Sequence, residues 1–360
     1  MTTFSPLPAK SVTFAHSTID DNLATFFDMS SKVVSIVTHN DINAACGTCE
    51  ITCSSYPSGL VVNDHIVVLI GGDLIFNGRL ARPAVQYYGQ WVFYCEDIGA
   101  NMSFRWGGEG TDPELDALLN RVYTNTTDDA LIVNIFEALG GPVSLHSIPT
   151  TLNPLATIFD IVLRVGQDGW SLIRGDQGID SIYGMWTATT NDGVLRRGPL
   201  AYAGSPDFTA VEGVNILLGS SRTPQGTGSI VNRYIVYGYE SEFGTIGGVG
   251  IGDYSLPNSN IPTPPTSYSK TIRNPLIEDD ATALSCATIQ VGLHNFPYDE
   301  TNLVLLGDTS ITIGQTGEIT SMTGPMKLDH NGDLRFVAAC SHIYNASVGY
   351  QTHVKCIRTE

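Results

Sequence analysis

Three cysteines stand close together as Cys46-x2-Cys49-x3-Cys53, the one stretch where neighbouring thiols could share a metal ion. A structural zinc takes four ligands in a tetrahedral array. No second Cys or His pair follows at a matching spacing, and His39 and His65 are the nearest histidines. The triplet therefore reads as packed or surface thiols. The run "DHNGDL" sets Asp329, Asn331 and Asp333 at alternate positions, as a calcium loop would, but Leu334 stands where such a loop needs glycine and Cys340 where it needs a bidentate Glu. Asn331-Gly332 reads instead as a hairpin turn.

A third candidate is "YIVYGYESEFGTIGGVGIGDYSLP" (Tyr234 to Pro257), with glycines at 244, 247, 248, 250 and 252 after an apparent strand. The spacing gives neither G-x-G-x-x-G nor G-x-x-x-x-G-K-[ST], and no helix directly follows to aim its N-terminus at a phosphate. These glycines are expected to let the chain bend and lie close to other backbone. G-x-S-x-G and H-E-x-x-H are absent, and the eight histidines are scattered. The sequence thus predicts no catalytic residues, no cofactor and no metal site, and the protein is expected not to be an enzyme. The sequons at Asn101, Asn125 and Asn345 are treated as silent.

The elements that carry these residues are read from composition and periodicity. Only 15% of the 360 residues are charged, and glycine, threonine, serine and proline are plentiful, which favours strands and turns over solvent-facing helices. The net charge of −18 argues against gripping phosphate backbones, and the first 78 residues carry only Lys10 and Lys32 as basic side chains. Neither a secretory signal nor a membrane span is evident, and "HIVVLIGG" is too short to cross a bilayer. Seven cysteines without a signal point to free thiols rather than a disulfide framework.

Along the chain, residues 1–58 read as an N-terminal arm with peripheral strands. Residues 59–255 are strand-rich: "GLVVNDHIVVLIGGDLIFNGRL" with a turn at Asn77-Gly78, then "QYYGQWVFYCED", "NMSFRWGG", "ALIVNIF", "PVSLHSI", "ATIFDIVLRV", "GVNILLG" and "NRYIVYGYE". One amphipathic helix is predicted over 113–123, with Leu115, Leu118, Leu119 and Val122 on one face. Residues 256–270 form a proline-rich linker. Residues 271–360, with "ATIQVGL", "NLVLLG", "SITIG", "EITSM", "LRFVAAC" and "YQTHVKCI", read as a separate, smaller C-terminal β domain.

"RPAVQYYGQWVFYCED" (Arg82 to Asp97), "NMSFRWGG", the 113–123 helix and "NRYIVYGYESEFGTIGGVGIG" resemble, in that order, segments of the jelly-roll capsid proteins of small icosahedral positive-strand RNA viruses, of the picorna-like and calici-like kind. The resemblance implies an all-β fold: an antiparallel jelly-roll β-sandwich over 59–255 with a short helix in a loop, and a protruding domain at 271–360. It implies a capsid protein that joins copies of itself or sister subunits into an icosahedral shell in the host cytoplasm. Genomic RNA would be enclosed without a basic arm, and a host receptor would meet the projecting domain. Two further readings stand beside it. One is a phage-type fibre or receptor-binding β-structural protein, which the "GQTGEI" and "HNGDL" turns would suit. The other is an extracellular β-sandwich glycan-binding protein or hydrolase.

Overall fold

The computed structural model describes residues 12–17, 27–28, 32–56, 60–103, 121–139, 146–148, 161–163, 167–201, 204–224, 230–241, 244–251, 269–295, 299–320 and 330–358. The first strands are β1 (Val12–Ser17), β2 (Phe27–Asp28), β3 (Val33–Asp41), β4 (Thr48–Cys53), β5 (His65–Ile70), β6 (Asp73–Leu80), β7 (Val85–Tyr87) and β8 (Gln90–Glu96). Buried and outward residues alternate along β4 and β5, as expected of a sheet with one face on a core. Next come β9 (Arg121–Tyr123), α1 (Asp128–Ala138), β10 (His146–Ser147), β11 (Ile161–Leu163), α2 (Trp170–Ile173), α3 (Ile179–Tyr183), β12 (Met185–Thr189) and β13 (Leu195–Pro199). The chain continues through β14 (Phe208–Val211), β15 (Ser221–Pro224), β16 (Arg233–Ser241), β17 (Gly244–Ile251), β18 (Ser269–Arg273), α4 (Asp280–His294), β19 (Asp299–Leu306), β20 (Thr316–Thr320), β21 (Asn331–Asn345) and β22 (Gly349–Ile357).

The protein is mostly β, with antiparallel pairing dominant. One 14-stranded sheet runs β15-β19-β22-β21-β3-β4-β8-β6-β5-β1-β2, with β7 on β8, β20 on β21 and β14 on β20. Its centre is the antiparallel β3–β21 pair, in register from Ala339 opposite Asp41 to Asn345 opposite Ser35. The expected arm at 1–58 and the expected separate domain at 271–360 thus meet in one sheet. Each has a buried apolar face, and their pairing lets those faces share cores: Tyr350 packs with Ile36 and Phe93, and Ile42 with Leu303 and Val337. A third core lies among the helices, where Leu131, Phe136, Ile179, Tyr234 and Ala287 are buried together.

Several local expectations are corrected. "ALIVNIF" is helical, part of α1, whose buried Leu131, Ile132, Ile135 and Phe136 follow the helical period, with Asp128 and Asp129 in its first turn. "ATIQVGL" lies within α4, where Ala283, Cys286, Ala287, Gln290 and Val291 are buried and Asp279 Oδ1 caps by accepting from Thr282 N at 2.7 Å. "NMSFRWGG" begins in a short 3-10 turn, Ile98–Ser103, not in a strand. Asn77 and Gly78 lie inside β6, while the turn joining β5 to β6 is made by Gly71 and Gly72, both at positive φ. Asn331 and Gly332 open β21, and the register shift beside them, with Gly332 at φ 71°, marks a bulge rather than the hairpin turn. Val122 belongs to β9, paired with β11, so it is not on a helix; residues 113–120 and the 256–268 part of the linker lie outside the described residues.

The glycine-rich stretch folds as the β16–β17 hairpin. A Cβ on Gly248 would come 2.3 Å from Leu284 N, and one on Gly250 would come 2.5 Å from the Ala287 carbonyl. The glycines let β17 lie directly on the backbone of α4. Among the described residues no helix is long and apolar enough to cross a membrane.

Candidate functional site

Cys46, Cys49 and Cys53 do not converge on one point. Cys49 and Cys53 face the core from β4 with Ile51 between them, and Cys46 sits half-buried in the turn before it. Burial pushes the thiol of Cys46 up to about 12 and that of Cys53 to about 11, and holds Cys49 well above its ordinary value. Thiolate, the metal-binding form, is disfavoured at all three. Among the described residues no group of three or more His, Cys, Asp or Glu side chains is placed to hold a metal ion. Of the sequons, Asn101 is buried, and Asn345 Oδ1 accepts from Ser347 N at 2.9 Å.

A hydroxyl–imidazole–carboxylate array lies beside the "DHNGDL" run. Thr301 Oγ1 is 2.8 Å from His330 Nε2, and His330 Nδ1 is 2.9 Å from Asp333 Oδ2. Hydroxyl, imidazole and carboxylate stand in the order used by serine hydrolases. Burial holds His330 below the ordinary histidine range. Burial alone would raise Asp333, but the bond from His330 and the nearby Arg335 guanidinium leave it lowered. Thr301, however, stands inside β19 between Arg222 of β15 and Cys356 of β22, and both Thr301 and His330 have 0% exposure. A substrate carbonyl has no path to that hydroxyl. The chain of bonds fastens β19 to the start of β21, reinforced by Arg222 and Arg335 on Asp299 at 2.7 and 3.0 Å.

Two more polar clusters join the cores. Asp97, just past β8, accepts from Gly47 N and Gly99 N, each at 2.8 Å, and from Thr189 Oγ1 at 2.5 Å. Burial pushes its carboxyl up to about 7, against those bonds and the Arg174 guanidinium. Arg174 reaches the carbonyls of Ala44 and Thr187 and lies over the Trp170 ring. Deeper, Arg197 of β13 binds Asp128 of α1 at 2.5 Å and Asp180 of α3 at 3.0 Å, and Arg197 and Asp128 are fully buried side chains. The sequence reading assigned none of these roles. Asp128 and Asp129 stand in the first turn of α1, and Asp279 and Asp280 open α4.

At the surface, His39 Nδ1 of β3 lies 2.9 Å from Ser341 Oγ of β21, an exposed imidazole–hydroxyl pair. The β7–β8 hairpin is exposed from Val85 through Gln90, with Tyr87 63% and Tyr88 91% exposed. On the outward face of β3, β4 and β8, the rows Val37–Glu50–Tyr94 and His39–Thr48–Glu96 line an open groove of about 510 Å³. Arg82 lies over the Tyr94 ring at 3.7 Å, at the side of that groove.

No protein-family description and no curated protein matches the sequence. The fold does match solved structures. A tail protein from Neisseria meningitidis MC58 matches at TM-score 0.69 and 12% identity, over 97% of this chain and 96% of that one. The 43 kDa tail protein of prophage MuSo2 from Shewanella oneidensis matches at TM-score 0.65 and 10% identity, over 97% and 98%. Prophage tail protein gp18 from Listeria monocytogenes EGD-e gives 0.55 and 10%, over 96% and 94%. At such identities the likeness is one of fold. It overturns the resemblance to icosahedral RNA-virus capsid proteins. The aromatic, period-two segments that carried that resemblance are common to any antiparallel sheet with one buried face, and they say little about how the strands are ordered.

Proposed function

We propose that this chain is a structural subunit of a bacteriophage or prophage tail. The observation that carries the reading is the extent of the fold match: nearly the whole of this chain superposes on nearly the whole of two tail proteins. In this reading the chain works through contacts with copies of itself or with sister subunits of the particle, and not through catalysis. The burial of Thr301 and His330 supports that. A net charge of −18 also suits a particle component that does not hold nucleic acid by its surface.

The test is fractionation of particles produced in a host carrying the gene. Detached tails and heads are separated on a density gradient, and each fraction is digested for mass spectrometry. Peptides of this chain should follow the tails. Recovery only with heads, or absence from every particle fraction, would overturn the reading.

A further inference from the structure

The β7–β8 hairpin turns on Tyr88 and Gly89, whose φ values are 48° and 79°. Positive φ at both central residues is the type I′ arrangement, which favours Asn-Gly or Gly-Gly and disfavours a bulky side chain at the first position. Here that position holds a tyrosine, 91% exposed, whose ring meets only Tyr87 edge-on at 4.4 Å among the aromatic contacts of the described residues. The sequence places a large aromatic where the backbone disfavours it and where it packs on no core. Strained, exposed positions of this kind point outward to a binding role. Around it, Ala84 to Trp91 carries no charged residue, in a chain of net charge −18.

The groove at the other end of the same strand has the matching chemistry. Val37 offers an apolar floor, Arg82, stacked on the Tyr94 ring, offers its other guanidinium face to an aromatic ring, and Glu50 and Glu96 offer carboxylates to phenolic hydroxyls. A hairpin cannot fill its own groove. Tyr88 and Tyr94 lie on one hairpin arm, about 20 Å apart in an extended strand, with the tip pointing away. An uncharged aromatic knob suits a partner whose surface is as acidic as its own, because it makes contact without bringing like charges together. A second copy of this chain is such a partner.

We infer that the Tyr87–Tyr88 hairpin of one copy docks in the Val37–Glu50–Tyr94 groove of the next. The contact is head-to-tail: each copy uses its knob on one neighbour and its groove on the other, so the chain assembles into a closed ring or an open filament. This deepens the tail-subunit reading and rests on it for the presence of many copies in one particle.

Three forms of the full chain test this by sedimentation velocity from about 1 to 100 μM, a range that spans typical self-association strengths. Wild type should associate with rising concentration. Tyr88→Asn should weaken association at least tenfold while raising the melting temperature by a few degrees, since Asn is at home at positive φ. A tyrosine that merely stabilised the fold would give the opposite shift on heating. Val37→Glu, with Arg82→Glu in reserve should Val37→Glu fold poorly, should block the groove and also sediment as monomer. Mixing the Tyr88→Asn chain with the groove variant leaves one intact knob and one intact groove, and should give one-to-one dimers and nothing larger. Wild type that stays monomeric at 100 μM, Tyr88→Asn that associates like wild type, or a mixture without dimers would each overturn the contact. If this chain is nevertheless recovered with tails, the contact fails and the tail assignment stands.

Discussion

Asp97 shows how a single buried side chain can make stability depend on pH. Its carboxyl titrates at about 7 in the folded protein, raised by burial, against an ordinary value of 3.8. The folded state therefore holds this proton where the unfolded chain has released it. The stabilisation is complete below pH 3.8, drains away between about pH 4 and 7 at up to roughly 1.4 kcal/mol per pH unit, and is absent above that window. Asp97→Asn removes the titration. The unfolding free energy of wild type minus that of Asp97→Asn should fall by a few kcal/mol from pH 5 to pH 8 in urea titrations; a constant difference would show that Asp97 does not titrate there. Arg197 gives a second residue-scale expectation. Arg197→Met takes the guanidinium away from the buried carboxylates of Asp128 and Asp180 and should cost about 3–5 kcal/mol at pH 7. A loss below about 1 kcal/mol would mean that α1 and α3 are held by packing alone. None of these roles was legible in the sequence, because Asp97 meets Gly47 and Thr189, and Arg197 meets Asp128 and Asp180, only once the chain has folded.

At the scale of elements, the strands were legible where one face is buried and the other wet. β5 and β8 fall within runs read as strands, and β19 and β22 overlap such runs for most of their length. The helices α1 and α4 were not. Isoleucine and valine in "ALIVNIF" and the short apolar run "ATIQVGL" suit a buried strand as well as a buried helix, and periodicity over seven residues does not separate the two. The signal that could have decided it lay just upstream, in Asp128-Asp129 and in Asp279 three residues before Thr282, which are acidic starts of helices. The glycine-rich stretch was read correctly as a place of close backbone approach, though the partner, α4, could not be seen. This sets up a paired test. Gly250→Ala puts a methyl group 2.5 Å from the Ala287 carbonyl and should cost about 1–3 kcal/mol or more, whereas at Gly247 the nearest atom is 3.6 Å away and Ala should be tolerated within about 0.5 kcal/mol. Equal melting temperatures for the two variants would show that β17 does not press on α4.

At the scale of the whole molecule, the linker signal misled. Proline-rich residues 256–270 suggested a hinge between independent halves, but sequence order says nothing about which strands pair, and the two halves pair through β3 and β21. Further bonds extend the contact past both ends of the ladder and across its middle. Ile42 N donates to Ala338 O at 3.0 Å, Ala346 N to Val34 O at 2.9 Å, and His342 N to Thr38 Oγ1 at 3.0 Å. Behind these bonds Tyr350 fills the N-terminal core beside Ile36, and His342 Nε2 lies 2.7 Å from Asn191 Nδ2 of the β12–β13 turn. A chain ending at residue 268 would keep β3 but lose its β21 neighbour, so the edge of β3 would face water with unpaired backbone groups and an uncovered apolar face. It would also lose α4, leaving Gly248 and Gly250 of β17 against nothing. Such a fragment should be insoluble or lack a cooperative melt, and residues 271–360 alone should fare no better, since β21 would lack β3. Co-expression of the two fragments should restore a soluble complex that melts cooperatively. A 1–268 fragment that unfolds as sharply as the full chain, at a similar temperature, would mean that the β3–β21 seam contributes little and that the halves are independent after all.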